Sequence, residues 1–256
     1  MKTHAEYITS RKNPLLQQVR KLLTSKKARE EAGLFVADGT KLLDEAIRYY
    51  PGLDTVIHTE DVVLTLPENV RDVIVPTDVM ASISPMEAPQ GALFLCRFPA
   101  PKAFSPVPGM LILDGIQDPG NLGTILRTAD ALDVPVVLLP GCADPYSHKV
   151  VRASMGAIFR TSVVEADFAT VQEACVAHNI PLAVTALRPD AKDLRQADSS
   201  KMAVVIGSEG KGVSDAVMAA CTEYLIIPMN PHCESLNAAI AAAIVMWQMK
   251  NDKEKV

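Results

Sequence analysis

The sequence predicts an α/β protein with two domains, a smaller one followed by a larger one built on a parallel sheet. Apolar residues make up 48% of the 256 positions, which is enough to bury a core in each domain. Short apolar runs alternate with helical segments, a rhythm typical of parallel sheets covered by helices on both faces. The segment 98–109, FPAPKAFSPVPG, breaks this rhythm with four prolines. We therefore predict a first domain over 1–98, a linker over 99–109 and a second domain over 110–256.

The first domain is predicted to begin with an amphipathic helix and to continue as a small α/β unit. In the segment 11–29, RKNPLLQQVRKLLTSKKAR, Leu and Val recur at helical spacing, and seven basic side chains occur with no acidic one. Strand-like runs follow in the order GLFVADG, DTVIHT, RDVIVP and GALFLCRF. A basic face can contact RNA phosphates, although a solvated helix face has the same pattern. The candidate RNA-binding residues are Arg11, Lys12, Arg20, Lys21, Lys26, Lys27 and Arg29.

The second domain is predicted as strands that alternate with helices. The strands are MLILD, VPVVLLP, FRTSVVE, PLAVTAL, MAVVIG and YLIIP, in that order. Helices are predicted from about Leu122, near 147, over 168–179, over 213–221 and over 236–249. Ligands of parallel sheets bind beyond the carboxyl ends of the strands, so the loops that follow strands are the candidates for a site.

Charge and cysteine content narrow the class of protein. The net charge is -5, so nucleic-acid contact has to come from a local basic patch. The five cysteines are scattered without a CxxC pair, which argues for a reducing compartment and against disulfides or zinc. The histidines show no metal-ligand spacing, and we expect no metal. The N-terminal segment has no apolar core for a signal peptide, and no apolar run is long enough for a membrane span. We therefore expect a soluble, cytoplasmic protein.

Two glycine-rich loops follow predicted strands. In the segment 113–134, LDGIQDPGNLGTILRTADALDV, Asn121 lies at the mouth of a helix and Arg127 on its first turns. This pattern fits a capped turn with a surface arginine, or an anion site. In the segment 204–215, VVIGSEGKGVSD, three glycines flank Glu209 and Lys211. Lys211 is followed by Gly and not by Ser or Thr, so the segment is no Walker A motif, but its backbone can approach a flat ligand.

The third segment, 229–249, reads MNPHCESLNAAIAAAIVMWQM. Ser235 is predicted to cap the helix, and Asn237 to make local hydrogen bonds. The helix after them has no polar face, since only Gln248 interrupts its apolar residues. A second subunit can bury such a helix more easily than the rest of a modest domain, so we predict a homodimer. His232 and Cys233 are adjacent in the chain and therefore not expected to form a nucleophilic pair.

Together, DPGNLGTILRTADA, IGSEGKGVSD and IPMNPHCESLNAAIAAAI resemble the three ordered motifs of the SpoU/TrmH family in the SPOUT superfamily. These are RNA 2'-O-ribose methyltransferases that use S-adenosylmethionine. SRKNPLLQQVRKLL and GLFVADGTKLLDEA more weakly resemble the L30e-like substrate-binding domain of many members. The resemblance implies a deep trefoil knot in the parallel-sheet domain, an exception to the rule against knots, and a cofactor pocket formed by that knot.

The resemblance also implies roles for individual residues. Those implied at the cofactor are Thr185, Gly207, Ile227, Met229 and Leu236. Those implied near the reacting ribose, as catalytic residues, are Asn121, Arg127, Glu209, Ser235 and Asn237. Many members read SLNVS where this chain reads SLNAA, so a hydroxyl is missing at Ala239.

Three functions remain open at the level of sequence. The first is an S-adenosylmethionine-dependent RNA 2'-O-methyltransferase, and the second is a catalytically silent RNA-binding or ribosome-assembly protein of the same fold. The five polar motif residues favour the first. A nucleotide-binding protein is the third, and the absence of the Walker and GxGxxG spacings disfavours it. Ribosomal RNA is favoured over transfer RNA as substrate, because the first domain resembles those of ribosomal-RNA enzymes, which is an argument by analogy of fold.

Overall fold

The computed structural model describes residues 5–208, 210–230 and 232–254. Contacts divide the chain into two compact units, the first made of Met1–Pro101 with Tyr146–Arg160, the second of Lys102–Pro145 with Thr161–Val256. The helices are α1 (Pro14–Thr24), α2 (Lys26–Ala32), α3 (Thr40–Tyr49), α4 (Thr77–Ile83), α5 (Pro119–Leu132), α6 (His148–Ala153), α7 (Phe168–Ala177), α8 (Asp215–Ala220) and α9 (Ala238–Glu254). The strands are β1 (Glu6–Tyr7), β2 (Leu34–Asp38), β3 (Leu53–His58), β4 (Arg71–Ile74), β5 (Ala92–Arg97), β6 (Met110–Asp114), β7 (Val136–Leu138), β8 (Val163–Glu165), β9 (Leu182–Thr185), β10 (Lys192–Asp193), β11 (Ala203–Gly207) and β12 (Glu223–Ile226).

The first unit contains a mixed five-stranded sheet in the order β1-β4-β3-β5-β2. Strands β1, β4 and β3 run parallel, whereas β5 is antiparallel to both β3 and β2. Helix α1 begins at Pro14, a residue that suits the first helical position, and the side chain of Asn13 accepts a hydrogen bond from the Leu15 N–H at 2.9 Å. Its buried leucine and valine side chains belong to the core over the sheet.

The predicted helix over 11–29 is two helices in the structure. Helix α1 ends at Thr24, because Ser25 adopts an extended backbone conformation and its hydroxyl accepts a hydrogen bond from the Ala28 N–H at 3.2 Å. Ser25 is therefore the N-cap of α2. The second helix ends at Ala32, and its C-cap Gly33 closes the last turn with a positive φ of 63°.

The second unit contains a seven-stranded sheet in the order β10-β12-β9-β11-β6-β7-β8. Every pairing in it is parallel, as the alternation of strands and helices predicts. Strands β6 and β11 lie side by side and are almost completely buried, which explains why they read as unbroken apolar runs. Short edge strand β10 was not predicted, since it is only two residues long and polar.

The segment Tyr146–Arg160 belongs to the first compact unit, although the sequence places it within the predicted second domain. The Tyr146 ring lies 5.1 Å from that of Phe35 and 4.6 Å from that of Phe98. The Phe159 ring lies 6.0 Å from that of Phe94. These rings bury one another, so the first unit differs from the predicted 1–98 by an insertion from later in the chain.

Helix α9 starts at Ala238 and extends to Glu254, whereas the predicted helix spans 236–249. Most of its apolar residues are buried, but Ile240, Ile244 and Trp247 are 52%, 38% and 59% exposed. Their spacing of four and three residues places them on one face.

Within the part of the chain that the structure describes, no helix has both the length and the apolar character that crossing a bilayer requires.

Candidate active site

A cavity of about 420 Å³ lies in the second unit at the carboxyl ends of β9, β11 and β12. All five residues implied at the cofactor line it: Thr185, Gly207, Ile227, Met229 and Leu236. The loops after the three strands and the segment before α9 supply its walls. The position agrees with the rule that ligands of parallel sheets bind beyond the strand ends. Its size lies in the usual range for small-molecule sites.

The loop after β11 folds back on itself against Gly207. The N–H of Ser208 donates to the Gly212 carbonyl at 3.0 Å, and the N–H of Gly212 donates to the Ser208 carbonyl at 2.9 Å. A Cβ atom at Gly207 would lie 2.2 Å from the Gly212 carbonyl carbon, so no side chain fits there. Gly212 has a positive φ of 68°, which a glycine adopts without strain.

The first and third motifs are joined by a hydrogen bond between two side chains. Asn237 donates from Nδ2 to Oδ1 of Asn121 at 3.0 Å. Its own Oδ1 accepts hydrogen bonds from the N–H groups of Ala239 and Ile240 at 2.9 and 3.3 Å. Asn237 is thus the N-cap of α9, and the prediction that Ser235 caps this helix is wrong, because the helix begins two residues later. Exposed Ser235 lines the cavity instead.

Helix α5 carries the other first-motif residues. Asp118 is its N-cap, with Oδ1 accepting from the Asn121 N–H at 2.7 Å, and Pro119 is its first residue. Arg127 is exposed on this helix and is not among the residues that line the cavity. Glu209, also implied as catalytic, lies outside the described residues. Asn121 and Asn237 are thus brought together and Ser235 lines the cavity. Asn121, Arg127 and Asn237 are not among its lining residues.

Two cations at the cavity were not predicted, Arg188 and Lys211. The Arg188 guanidinium lies 4.1 Å from the centre of the Tyr224 ring and donates two hydrogen bonds to Asp190, at 2.8 and 2.9 Å. Asp190 raises the pKa of Arg188, and Arg188 lowers the pKa of Asp190. Because Arg188 follows β9, inspecting the loop after the predicted strand PLAVTAL would have found it.

Two thiols of the second unit, those of Cys142 and Cys221, are poorly suited to nucleophilic chemistry. Burial raises the pKa of Cys221 to about 12. Burial also raises the pKa of Cys142, whose Sγ donates to the Leu113 carbonyl. Both thiols therefore stay protonated near neutral pH.

Among the described residues, no group of three or more His, Cys, Asp or Glu is arranged to hold a metal ion.

The basic residues of the first unit differ in accessibility. Lys12, Lys21, Lys26 and Lys27 are exposed. Arg11 pairs with Asp78 at 2.6 Å, and Arg20 donates hydrogen bonds to Ser82 and to the Arg11 carbonyl. Arg29 is only 5% exposed, and its Nη1 donates to the Leu22 carbonyl at 2.5 Å near the end of α1. The prediction that Arg29 contacts RNA is therefore wrong, because its guanidinium serves the fold.

Comparison with known proteins gives consistent similarities. Residues 108–247 match the SpoU rRNA Methylase family, and residues 13–93 match the MRM3-like substrate binding domain. The 23S rRNA (guanosine(2553)-2'-O)-methyltransferase RlmP of Bacillus subtilis is 31% identical, covering 95% of this chain and 98% of that protein.

Solved structures extend the similarity to the fold. The AdoMet-bound rRNA methyltransferase from Sinorhizobium meliloti is 27% identical with a TM-score of 0.84, covering 97% of this chain and 98% of the other. The SpoU methyltransferase AviRb from Streptomyces viridochromogenes, in complex with AdoMet, is 25% identical with a TM-score of 0.82, covering 95% and 100% of the two chains. Both units of this chain lie within the aligned lengths.

Proposed function

The chain belongs to the SpoU rRNA methylase family, and from this premise we propose that it transfers the methyl group of S-adenosylmethionine to a ribose 2'-hydroxyl of ribosomal RNA. The observation that carries the proposal is the cavity at the ends of β9, β11 and β12, with the Asn121–Asn237 pair linking the first and third motifs. Ribosomal RNA is proposed as substrate because two of the relatives with nearly full coverage, RlmP and the Sinorhizobium enzyme, are named for it. Family membership also implies a trefoil knot in the second unit.

The residues of the cavity fit S-adenosylmethionine. The apolar side chains of Leu187, Ile226 and Leu236 can hold a flat adenine ring, and the loop closed by Ser208 and Gly212 brings backbone groups close to it. Only a glycine at 207 allows that loop to close. When bound, the cofactor supplies an electrophilic methyl group on a sulfonium, with its own leaving group.

The chain has to orient the ribose and assist the loss of its hydroxyl proton. Asn121 and Asn237 hold each other in place, and Ser235 presents a hydroxyl at the cavity. A guanidinium remains protonated in proteins, so Arg127 acts by positioning the RNA and stabilising charge, and not as the base. Correct positioning alone can lower a barrier by about 7–11 kcal/mol in favourable cases.

We propose that the active enzyme is a homodimer formed through the exposed α9 face of Ile240, Ile244 and Trp247. A monomer would leave the exposed parts of these three large apolar side chains in water, and removing apolar surface from water contributes about 25 cal/mol per Å². Arg127 is not among the described residues that line the cavity of its own chain, which fits a site completed by a partner subunit. The exposed lysines of α1 and α2, together with Lys12, are proposed to contact RNA phosphates.

The test is transfer of labelled methyl from S-adenosylmethionine to ribosomal RNA taken from a strain that lacks the gene. We expect the label in a 2'-O-methyl nucleoside after nuclease digestion, and RNA from the parent strain should accept less. Label on a base would contradict the ribose assignment. Cofactor binding without transfer to free RNA or to ribosomal particles would favour a catalytically silent RNA-binding protein.

Arg127→Ala separates catalysis from binding within the same assay. Losing one charge-stabilising group typically costs about 10²–10³ in rate, and the exposed side chain contributes little to folding. We expect single-turnover transfer to fall by that factor while cofactor affinity, measured by calorimetry, stays unchanged. Arg48→Ala is a control at another exposed arginine. Transfer at the wild-type rate by Arg127→Ala would contradict the role of this residue.

A further inference from the structure

A second cavity, of about 800 Å³, lies within the first unit, where the parallel strands β1, β4 and β3 end. Tyr7 and Ile74 are the last residues of two of these strands, and Thr59 follows the third. Its floor is apolar, with Val75 and Met80 each 1% exposed. The carboxyl ends of parallel strands are the usual place for a ligand, and nothing in the proposed methyl transfer uses this cavity.

The cavity combines an aromatic ring with hydrogen-bond acceptors. The Tyr7 ring is 63% exposed at its wall. Glu60 and Asp61 supply carboxylates, and Thr9, Thr77 and Gln90 supply hydroxyl and amide groups. A hydrogen bond from the Thr59 side chain lowers the pKa of Asp61, which keeps that carboxylate ionised. The described residues that line the cavity include neither lysine nor arginine, so the interior repels a phosphate and attracts N–H donors.

Two basic side chains, Arg11 and Lys12, lie close in the chain to a residue that lines the cavity. Arg11 lies two residues after Thr9, and its guanidinium bonds Asp78, which follows Thr77, at 2.6 Å. Both side chains are exposed, at 58% and 64%. Lys12, next in the chain, is also exposed. Exposed carboxylates and an exposed aromatic ring at the cavity, with Lys12 and the Arg11–Asp78 pair close in the chain to lining residues, suit a nucleotide whose base enters the cavity and whose phosphates remain in solvent.

We propose that this cavity binds one unpaired guanine base of the substrate RNA, stacked on Tyr7 and read by Glu60 and Asp61. Guanine carries two adjacent N–H donors on its Watson–Crick edge, which suit a carboxylate, whereas the other bases offer at most one amino group beside an acceptor. Unpaired bases that stack on aromatic side chains are the usual targets of sequence-specific RNA recognition. The inference rests on the proposed function in that RNA is the substrate.

The experiment uses the full chain and single-stranded RNA pentamers by fluorescence anisotropy, with UUGUU as the probe and UUIUU and UUAUU as matched comparisons, where I is inosine. We expect UUGUU to bind about tenfold more tightly than UUAUU, a factor within the usual discrimination of a good bidentate base contact. Inosine lacks the 2-amino group and should fall between them. Equal affinity for UUGUU and UUAUU would overturn the proposal.

Variants locate the site. Tyr7→Ala should weaken binding of UUGUU about tenfold, as expected for a lost stacking contact, and Tyr7→Phe should retain it. Tyr49→Ala is the matched control, an exposed tyrosine of the same unit outside this cavity. The double variant Glu60→Gln, Asp61→Asn should lose the preference for guanine. Unchanged binding by Tyr7→Ala, or a preference that survives the double variant, would place the guanine elsewhere.

Methyl transfer by the wild type is measured separately, so the two proposals fail independently. If transfer to ribosomal RNA occurs but the pentamers show no guanine preference, only the guanine site is refuted. If the pentamers bind as expected but no methyl is transferred, the guanine site stands and the catalytic proposal falls.

Discussion

At the scale of single residues, Gly207 is the position where the cavity is most sensitive to a single methyl group. A Cβ there would lie 2.2 Å from the Gly212 carbonyl carbon, whereas a Cβ at Gly210, in the same loop, would meet nothing within 4 Å. Gly207→Ala should therefore open the loop and weaken S-adenosylmethionine binding at least about tenfold, and Gly210→Ala should not. Titration calorimetry on both variants provides the measurement. Similar losses in the two variants would show that loop closure is not what the cofactor needs.

His148 and Asp38, two interacting titratable residues of the first unit, have pKa values that are shifted in opposite directions. His148 Nδ1 and Asp38 Oδ1 are buried and have no hydrogen-bond partner among the described residues. Burial lowers the pKa of His148, whereas a backbone hydrogen bond at Leu23 and the charge of Asp38 raise it by less. Burial raises the pKa of Asp38, against Arg152 and His148.

These shifts set a direction for stability against pH. His148 binds a proton near pH 6.5 in the unfolded chain and only at a lower pH in the folded chain. The contribution of His148 to folding stability is therefore present above pH 6.5 and is lost as the pH falls toward the lower folded pKa. Asp38 has the opposite effect on the pH dependence, because its pKa is higher in the folded chain than in the unfolded chain. Its contribution to folding stability declines as the pH rises from 3.8 through the raised folded pKa. His148→Gln should flatten the fall in urea midpoint between pH 7 and about pH 5. His178→Gln, at an exposed histidine, should leave it unaltered.

Single residues also show where prediction from sequence stops. The five cofactor residues named from motifs do line one cavity, because strand ends and glycine loops are encoded locally. Arg29 was assigned to RNA because its neighbours are basic, yet it is buried against the Leu22 carbonyl. Which side of a helix meets the core at its last turn depends on the partner element, and that information is not local.

At the scale of elements, the start of α9 joins a helix cap to the site. Asn237 accepts two N–H groups with Oδ1 and donates Nδ2 to Asn121. Asn237→Ala loses both functions and should cost about 1 kcal/mol of stability, the typical value of an N-cap. Asn237→Asp keeps the cap but cannot donate to Asn121, so it should fold normally and transfer methyl slowly. Thermal unfolding and single-turnover transfer on both variants separate these effects. Full transfer by Asn237→Asp would show that the link to Asn121 is dispensable.

The exposed face of α9 leads to a prediction about assembly. Ile244→Asp places a charge among Ile240, Ile244 and Trp247 and should convert a dimer to a monomer, because an unpaired charge is costly in an apolar interface. Val176→Asp is the matched control, since Val176 is 71% exposed on α7 and outside this face. Sedimentation equilibrium at micromolar concentration measures the mass. A wild type that sediments as a monomer would refute the dimer itself.

Elements were predicted most accurately where they are buried on both sides. The central strands of the second sheet read as continuous apolar runs and are found where expected, whereas two-residue β10 has no such signal. The break between α1 and α2 was missed, because basic and apolar residues continue through Ser25 at helical spacing. Only the capping bond of its hydroxyl to Ala28 ends one helix and begins the next.

At the scale of the whole molecule, the two compact units differ in composition from the two predicted domains. The division by contacts falls between Pro101 and Lys102, inside the proline-rich linker predicted over 99–109. The return of Tyr146–Arg160 to the first unit has no local signature, since a helix near 147 fits either unit equally well. Its aromatic partners, above all Phe35 and Phe98, are more than 45 residues away in sequence.

The first unit should therefore not fold as the fragment 1–101. Without Tyr146 and Phe159, the rings of Phe35, Phe94 and Phe98 lose the contacts at 4.6–6.4 Å that these two rings make with them. Each buried aromatic ring contributes about 1.5–3 kcal/mol, and a domain is stable by only about 5–15 kcal/mol.

We expect fragment 1–101 to bind a hydrophobic dye and to lack near-ultraviolet dichroism, as a loosely packed state does. A chain that joins 1–101 to 146–160 through a flexible Gly-Ser linker should recover cooperative urea unfolding. The same chain with Phe159→Ala should recover less, since truncating a buried Phe costs about 3–5 kcal/mol. Cooperative unfolding of 1–101 alone, at the midpoint of the joined chain, would show that the inserted segment rests on the first unit without completing its core.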